Sequence, residues 1–296
     1  MLISDFYRNG RFGLSFEVFP PRTDEGMADL FRNLTDLVTF SPSFVTCTYG
    51  AGGSTRDKTL DIVTRVKREF SLPVAAHLTC VGATVANLRE YLREAATRGV
   101  DYIMALRGDP PKGESEFRPV DGGFSHANEL VALIRAEFPA FGVAVAGYPE
   151  VHQEAASPEA DLEHLKRKVD TGGDIVITQL FYVNDDFFRF RDRCVAAGIR
   201  VPIIPGVLPV TSADQLKRVI KNCGARLPQA LLAKMEAHTN DPQGQYDVGI
   251  YSATRQVEEL VESGCPGVHF YVLNRSQAAS QILRSLTLPP KTKRGV

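Results

Sequence analysis

The chain has 296 residues, 44% of them hydrophobic and 23% charged, with a formal net charge of -1. This composition is typical of a globular protein with one large domain or two ordinary ones. The charge gives no general attraction for nucleic acid or an anionic membrane, and no apolar run could span a bilayer. The N-terminus lacks signal-peptide features, and five scattered cysteines favour free thiols without disulfides or a metal site. We therefore expect a cytoplasmic protein.

Short apolar runs of four to seven residues alternate with amphipathic stretches along nearly the whole chain. Each run is apolar on both faces, which is typical of buried parallel strands. The eight predicted strands begin at Leu14, Phe44, Val74, Tyr102, Val143, Ile175, Ile203 and Val268.

Helical patterns lie between these runs, with a period of 3.6 residues in 30–38, 88–95 and 162–169. Thr84, Ser157 and Ser212 are predicted N-caps. Two connections are long: 107–125 is rich in Gly, Pro and charge, and 228–264 is typical of two extra helices before the last strand.

Eight βα units predict a single (β/α)8 barrel domain over residues 1–296. A doubly wound open sheet is the alternative architecture. It is disfavoured because the chain has no Gly-x-Gly-x-x-Gly turn; the stretch 50–55 places Thr55 where the third glycine belongs.

Glu17 lies in a run that otherwise indicates a buried strand. Burial raises the pKa of a carboxyl group, and the neighbours Phe16, Val18 and Phe19 are apolar. Glu17 is therefore a candidate proton donor at neutral pH. A half-exposed strand with Glu17 on its wet face is the alternative.

Polar residues follow seven of the eight predicted strands, which in a barrel would face one pocket at the C-terminal ends. Simpler explanations exist: His77 could be a core histidine, Arg107 and Asp109 a local ion pair, and Gln179 a helix cap. On the later helix, Asp161, His164 and Lys168 form a stripe that is either a solvated face or a rim for a phosphate-bearing ligand.

These segments together resemble the 5,10-methylenetetrahydrofolate reductase family. Its blocks occur in family order over essentially the whole chain. They are SFEVFPPR (15–22), VTCTYGA (45–51), HLTC (77–80), ALRGD (105–109), YPEVH (148–152), LKRKVD (165–170), ITQ (177–179), IPGVLP (204–209) and HFYVLNR (269–275). The length is similar to that of the bacterial, catalytic-domain-only form, so regulation by S-adenosylmethionine is not expected.

The resemblance implies an FAD-dependent barrel that reduces methylenetetrahydrofolate to 5-methyltetrahydrofolate. A reduced nicotinamide, with NADH favoured over NADPH, first gives hydride to non-covalently bound FAD and then leaves the site to the folate. It also implies a homo-oligomer. Glu17 is implied as the general acid and Asp109 as a second catalytic carboxylate near the flavin ring.

The other site residues are also implied by the resemblance, motif by motif. The implied FAD contacts are Thr48, Tyr49, His77, Arg107, Gly108, Asp109, Ala127, Tyr148, His152, Ala155, Asp161, His164, Arg167 and Lys168. The implied substrate contacts are Glu17, Thr48, Asp109, Gln179, Gln215 and Arg275.

Three features depart from the family pattern. His164 stands where relatives carry Asn, Val219 where some carry Phe, and the loop 107–127 is longer than theirs.

Rival hypotheses are a barrel glycosidase that uses Glu17 with Asp109 or Glu150, a non-catalytic flavin or folate store, and another flavin barrel such as proline dehydrogenase.

Overall fold

Eight parallel strands, paired in chain order, close into a barrel through pairing of the last strand with the first. A computed structural model of the chain describes residues 1–49, 56–110, 113–114 and 116–289, with only the backbone of Arg56 and Asp57. The strands are β1 (Gly13–Val18), β2 (Phe44–Cys47), β3 (Val74–Thr79), β4 (Tyr102–Leu106), β5 (Gly142–Gly147), β6 (Ile175–Leu180), β7 (Ile203–Val207) and β8 (Gly267–Tyr271).

Every predicted strand is present and begins within one residue of its predicted start. The predicted (β/α)8 barrel is therefore confirmed, and the alternative of an open, doubly wound sheet is wrong. The glycine-rich stretch 50–55 lies outside the described residues.

Helices surround the barrel, and the three predicted N-caps each accept a backbone N–H from three residues further on. The helices are α1 (Asp24–Val38), α2 (Arg56–Phe70), α3 (Val85–Thr97), α4 (Ala127–Glu137), α5 (Pro158–Asp170), α6 (Asn184–Ala196), α7 (Ala213–Cys223), α8 (Gln229–Glu236), α9 (Pro242–Glu262) and α10 (Gln277–Ser285). The two extra helices predicted before the last strand are α8 and α9. Within the described part of the chain, no helix is long and apolar enough to cross a membrane.

Successive residues of β1 face in turn the apolar layer outside the barrel and the interior of the barrel. Leu14, Phe16 and Val18 point outward and pack in the apolar layer between the strands and the helices. Ser15 and Glu17 therefore point into the barrel. The barrel interior thus receives polar side chains from a strand whose outward face is wholly apolar.

The N-terminal end of the barrel is closed by apolar side chains. Residues 3–7 form a short 3-10 helix, and Ile3 and Tyr7 pack against an inner cluster that includes Phe44 and Tyr102. The rings of Phe44 and Tyr102 meet edge to face with their centroids 5.8 Å apart. A ligand can therefore reach the inward-facing polar residues only from the C-terminal end, where the active sites of such barrels lie.

Candidate active site

A cavity of about 490 Å³ opens at the C-terminal end of the barrel, with Glu17 in its lining. We call it the central cavity. It brings together most of the site residues predicted from the strand ends: Glu17, Thr48, Tyr49, His77, Arg107, Gly108, Asp109, Tyr148, His152 and Gln179. Val219, on α7, also lines it.

A second cavity of about 270 Å³, the side cavity, adjoins the central one, since Arg107, Tyr148 and His152 line both. It contains the rim stripe predicted on α5. Its lining includes the remaining predicted cofactor contacts, Ala127, Ala155, Asp161, His164, Arg167 and Lys168. Ala127 is the first residue of α4, at the end of the long β4–α4 loop.

A third cavity of about 460 Å³, the outer cavity, shares Leu208, Tyr271 and Leu273 with the central one. The predicted substrate residues Gln215 and Arg275 line this outer cavity and not the central one. The structure therefore divides the predicted substrate contacts between two adjoining spaces.

Glu17 lies among imidazoles and not in the apolar surroundings that the sequence predicts. Its Oε2 is 3.3 Å from Nε2 of His77 and 3.5 Å from Nε2 of His269. Phe16 and Val18 face away, and Phe19 is 39% exposed. Burial alone would raise the pKa of Glu17, but the two imidazoles outweigh it and lower this pKa to about 2. The predicted raised pKa is wrong.

His269 and Ser15 are residues that the sequence analysis missed as individual site candidates. His269 is fully buried, and its Nδ1 is 2.8 Å from Oγ of Ser15. The two residues are paired in register across β1 and β8. Strand alternation could have identified Ser15, because it stands two residues before Glu17 and alternate residues of a strand share a face.

Arg107 and Asp109 do not form the local ion pair that the sequence allowed. Arg107 instead binds Glu154, with N···O distances of 2.7 and 2.8 Å. Asp109 is exposed at the central cavity and makes no hydrogen bond or ion pair with the described residues. Its charge is therefore not neutralised by a direct protein contact in that part of the chain. Gln179 does not cap a helix either, because its Oε1 accepts the N–H of Leu180.

Lys168 carries the one strongly perturbed amine of the described residues. Its Nζ donates to the carbonyl oxygen of Ala146 at 2.6 Å and lies 5.9 Å from the ring centroid of Tyr148. Burial lowers the pKa of Lys168 to about 8, although the nearby carboxylate of Asp161 opposes this shift. A ligand phosphate in the side cavity would supply the missing anionic partner.

Between pH 8 and about 10.4, the ordinary pKa of lysine, the stability of the cofactor-free wild-type protein should rise relative to that of the Lys168→Met variant. The folded-state pKa is depressed, so the unfolded chain binds more protons in this window and stability rises with pH. Melting temperatures of both proteins across the window test this, with Lys166→Met on the exposed side of α5 as the control. If the melting temperature of the wild type minus that of Lys168→Met does not increase with pH, the assignment is contradicted.

Comparison with known proteins places this geometry in context. The family model of methylenetetrahydrofolate reductase matches residues 2–287. The 5,10-methylenetetrahydrofolate reductase of Salmonella typhimurium is 40% identical over 281 residues, covering 95% of this chain and 93% of that protein. Methylenetetrahydrofolate reductase (NADH) 1 of Zea mays is 37% identical over 96% of this chain. The chain spans about half the length of this plant relative, 50%.

A solved structure gives the same fold. An uncharacterized protein from Clostridium thermocellum, which binds two copies of 5-methyl-5,6,7,8-tetrahydrofolic acid, matches with a TM-score of 0.65. The match covers 96% of this chain and 98% of that one at 15% identity. At this identity the likeness supports the barrel architecture alone.

Proposed function

Because this chain belongs to the methylenetetrahydrofolate reductase family, we propose that it reduces 5,10-methylenetetrahydrofolate to 5-methyltetrahydrofolate. A reduced nicotinamide is the electron source and FAD the carrier. One observation carries the proposal: Glu17, which is half-buried, and Asp109, which no described residue pairs, are two carboxylates that line the same cavity at the catalytic end of the barrel. The family assignment argues against the glycosidase and proline dehydrogenase hypotheses.

The residues present fit FAD. The central cavity adjoins the side cavity at Arg107, so a flattened ring and a diphosphate-linked nucleoside have neighbouring spaces. Arg107, Arg167 and Lys168 supply positive charge suited to a diphosphate. In the central cavity, the buried Oγ1 of Thr79 has no hydrogen-bond partner among the described residues. When bound, FAD would accept hydride from the nicotinamide and supply it to the folate.

Glu17 is the proposed source of the proton that opens the five-membered ring of the folate. That opening places a proton on the departing nitrogen and leaves an iminium cation. The Oε2 of Glu17 lies 3.3 Å from Nε2 of His77 and 3.5 Å from Nε2 of His269, so a proton can pass between an imidazole nitrogen and the carboxylate. A substrate that covers the cavity would increase the burial that already favours the neutral acid.

Asp109 is the proposed electrostatic partner of the iminium cation. Its carboxylate is not paired within the described residues, so its charge is available to a cation formed in the central cavity. The same charge near the flavin would disfavour added electrons on the ring and favour their transfer to the folate.

Gln179 and Gln215 are proposed to donate hydrogen bonds to the substrates. The Oε1 of Gln179 accepts the N–H of Leu180, and the Oε1 of Gln215 accepts the N–H and O–H of Thr211. Neither NH₂ group has a hydrogen-bond partner among the described residues, so each can donate to a ligand. Arg275 in the outer cavity offers charge to the carboxylates of the folate or the phosphates of the nicotinamide.

Anaerobic stopped-flow absorbance tests the proposed function in two separate half-reactions. The FAD-loaded protein should be bleached by a reduced nicotinamide and should regain its colour with methylenetetrahydrofolate. The resemblance favours NADH as the faster reductant, and the maize relative carries NADH in its name. Bleaching without recovery on folate would overturn the proposal.

Denaturing the purified yellow protein should release intact FAD. The side cavity beyond Arg107 gives the adenosine half of the dinucleotide a place that FMN would leave empty. Chromatography of the supernatant against FAD and FMN standards is the measurement. Recovery of FMN, or a colourless protein that FAD cannot reconstitute, would contradict the cofactor assignment.

A further inference from the structure

Glu154 holds Arg107 at the junction of the central and side cavities. Both of its carboxylate oxygens accept hydrogen bonds from the guanidinium, at 2.7 and 2.8 Å. The Nε of Arg107 donates to the carbonyl oxygen of Gly108 at 3.1 Å, and the ring of Phe117 lies 4.8 Å from the guanidinium carbon. The guanidinium is therefore fixed at two edges and over one face.

This clamp determines what Arg107 can offer a ligand. A guanidinium has five N–H groups in a rigid fork. Three are used by Glu154 and Gly108, and the other two have no acceptor among the described residues. Because Arg107 lines both cavities, those two donors remain for a molecule that extends from one cavity into the other.

Glu154 also sets the neighbouring imidazole through its backbone. Its N–H donates to Nδ1 of His152 at 3.1 Å, so in the neutral imidazole the ring proton is on Nε2. The ring meets Tyr148 edge-on with centroids 4.6 Å apart. His152 is thereby fixed in orientation and tautomer, and it too lines both cavities.

The turn that carries these residues is strained. Val151 has a φ of +76°, a region that a β-branched residue rarely adopts. Such a conformation persists only where several surrounding contacts hold it. Asp161 accepts the backbone N–H of His152 at 3.2 Å on one side of the turn, and Glu154 pairs with Arg107, the residue directly after β4, on the other side.

We propose that Glu154 is a positioning residue for the dinucleotide cofactor. Its carboxylate orients Arg107 and its backbone orients His152, so that both present donors where the two cavities join. The inference rests on the proposed function, because it takes FAD as the occupant. It goes beyond that function by assigning a role to an acidic residue that lies beside the cationic residues of the proposed diphosphate site.

The alternative is that Glu154 competes with the cofactor phosphates for Arg107, and the two cases give opposite results. Glu154→Gln removes the two-oxygen pairing while it keeps the size of the side chain. If Glu154 positions Arg107, the Kd for FAD should rise about tenfold, the scale of coupling between contacting groups. Fluorescence quenching of FAD titrated with cofactor-free protein measures this without turnover. An unchanged or lower Kd would overturn the proposal.

Glu137→Gln is the matched control, since both oxygens of Glu137 accept hydrogen bonds from Arg89, at 2.8 and 2.9 Å, and neither residue lines the central or the side cavity. It removes the same charge and the same kind of pairing away from the proposed cofactor site, so the Kd of this variant for FAD should stay within about twofold of the wild-type value. In an Arg107→Gln background, Glu154→Gln should add little. If Glu154→Gln raises the Kd for FAD by the same factor in the Arg107→Gln background as in the wild type, Glu154 does not act through Arg107. Failure of the wild type to bind FAD would instead contradict the proposed function.

Discussion

Asp109→Asn is expected to slow folate reduction by roughly 10²-fold, the usual loss when one stabilising group is removed from a transition state. Reduction of the flavin by the nicotinamide should slow much less, because the folate iminium cation forms only in the other half-reaction. The reduction potential of the bound flavin should rise, since a negative charge near the ring is removed. Asp109 is suited to this test because no described residue pairs with its carboxylate.

Single-turnover traces of each half-reaction and a redox titration of the bound flavin are the measurements. Asp121→Asn is the control, because Asp121 is an exposed residue of the same β4–α4 loop and carries the same charge. Equal slowing of both half-reactions with an unchanged potential would show that Asp109 only positions the flavin.

The barrel could be predicted from the sequence because its strands are buried on both faces. Runs such as 102–106 and 143–146 are apolar throughout, and amphipathic helical segments lie between the runs. The order of the strands then follows from short right-handed connections. Most of the polar residues at the strand ends line the central cavity for the same reason, since the carboxyl ends of all the parallel strands lie at the same end of the barrel.

The electrostatics of the site could not be predicted, because they depend on contacts between distant parts of the chain. The partner of Glu17 on β8 is His269, 252 residues away, and its distance depends on the register between β1 and β8. The sequence neighbours of Glu17 indicated apolar surroundings, but Phe16 and Val18 lie on the other face of the strand. Arg107 likewise pairs with Glu154, 47 residues away, and not with the adjacent Asp109.

Glu17→Gln is expected to abolish nearly all reduction of methylenetetrahydrofolate while the flavin still binds and is still reduced by the nicotinamide. The amide keeps the size of the side chain and can still contact His77 or His269, but it cannot donate a proton as an acid. General acids contribute about 10²–10⁴ in rate, and a ring opening that requires the proton can lose more. Hydride transfer from the nicotinamide needs no such proton.

The two half-reactions, followed anaerobically in single-turnover experiments, separate acid catalysis from binding at Glu17. Glu25→Gln, an exposed change in the first turn of α1, should leave both rates unaltered. If the Glu17→Gln protein regains its flavin colour with folate at close to the wild-type rate, Glu17 is not the acid and the imidazoles lower its pKa for a structural reason. If it no longer binds flavin, the cluster of Glu17, His77 and His269 maintains the shape of the cavity. Loss of the folate half-reaction alone would show that a carboxylate whose pKa is held low by two imidazoles can still deliver the proton once substrate covers it.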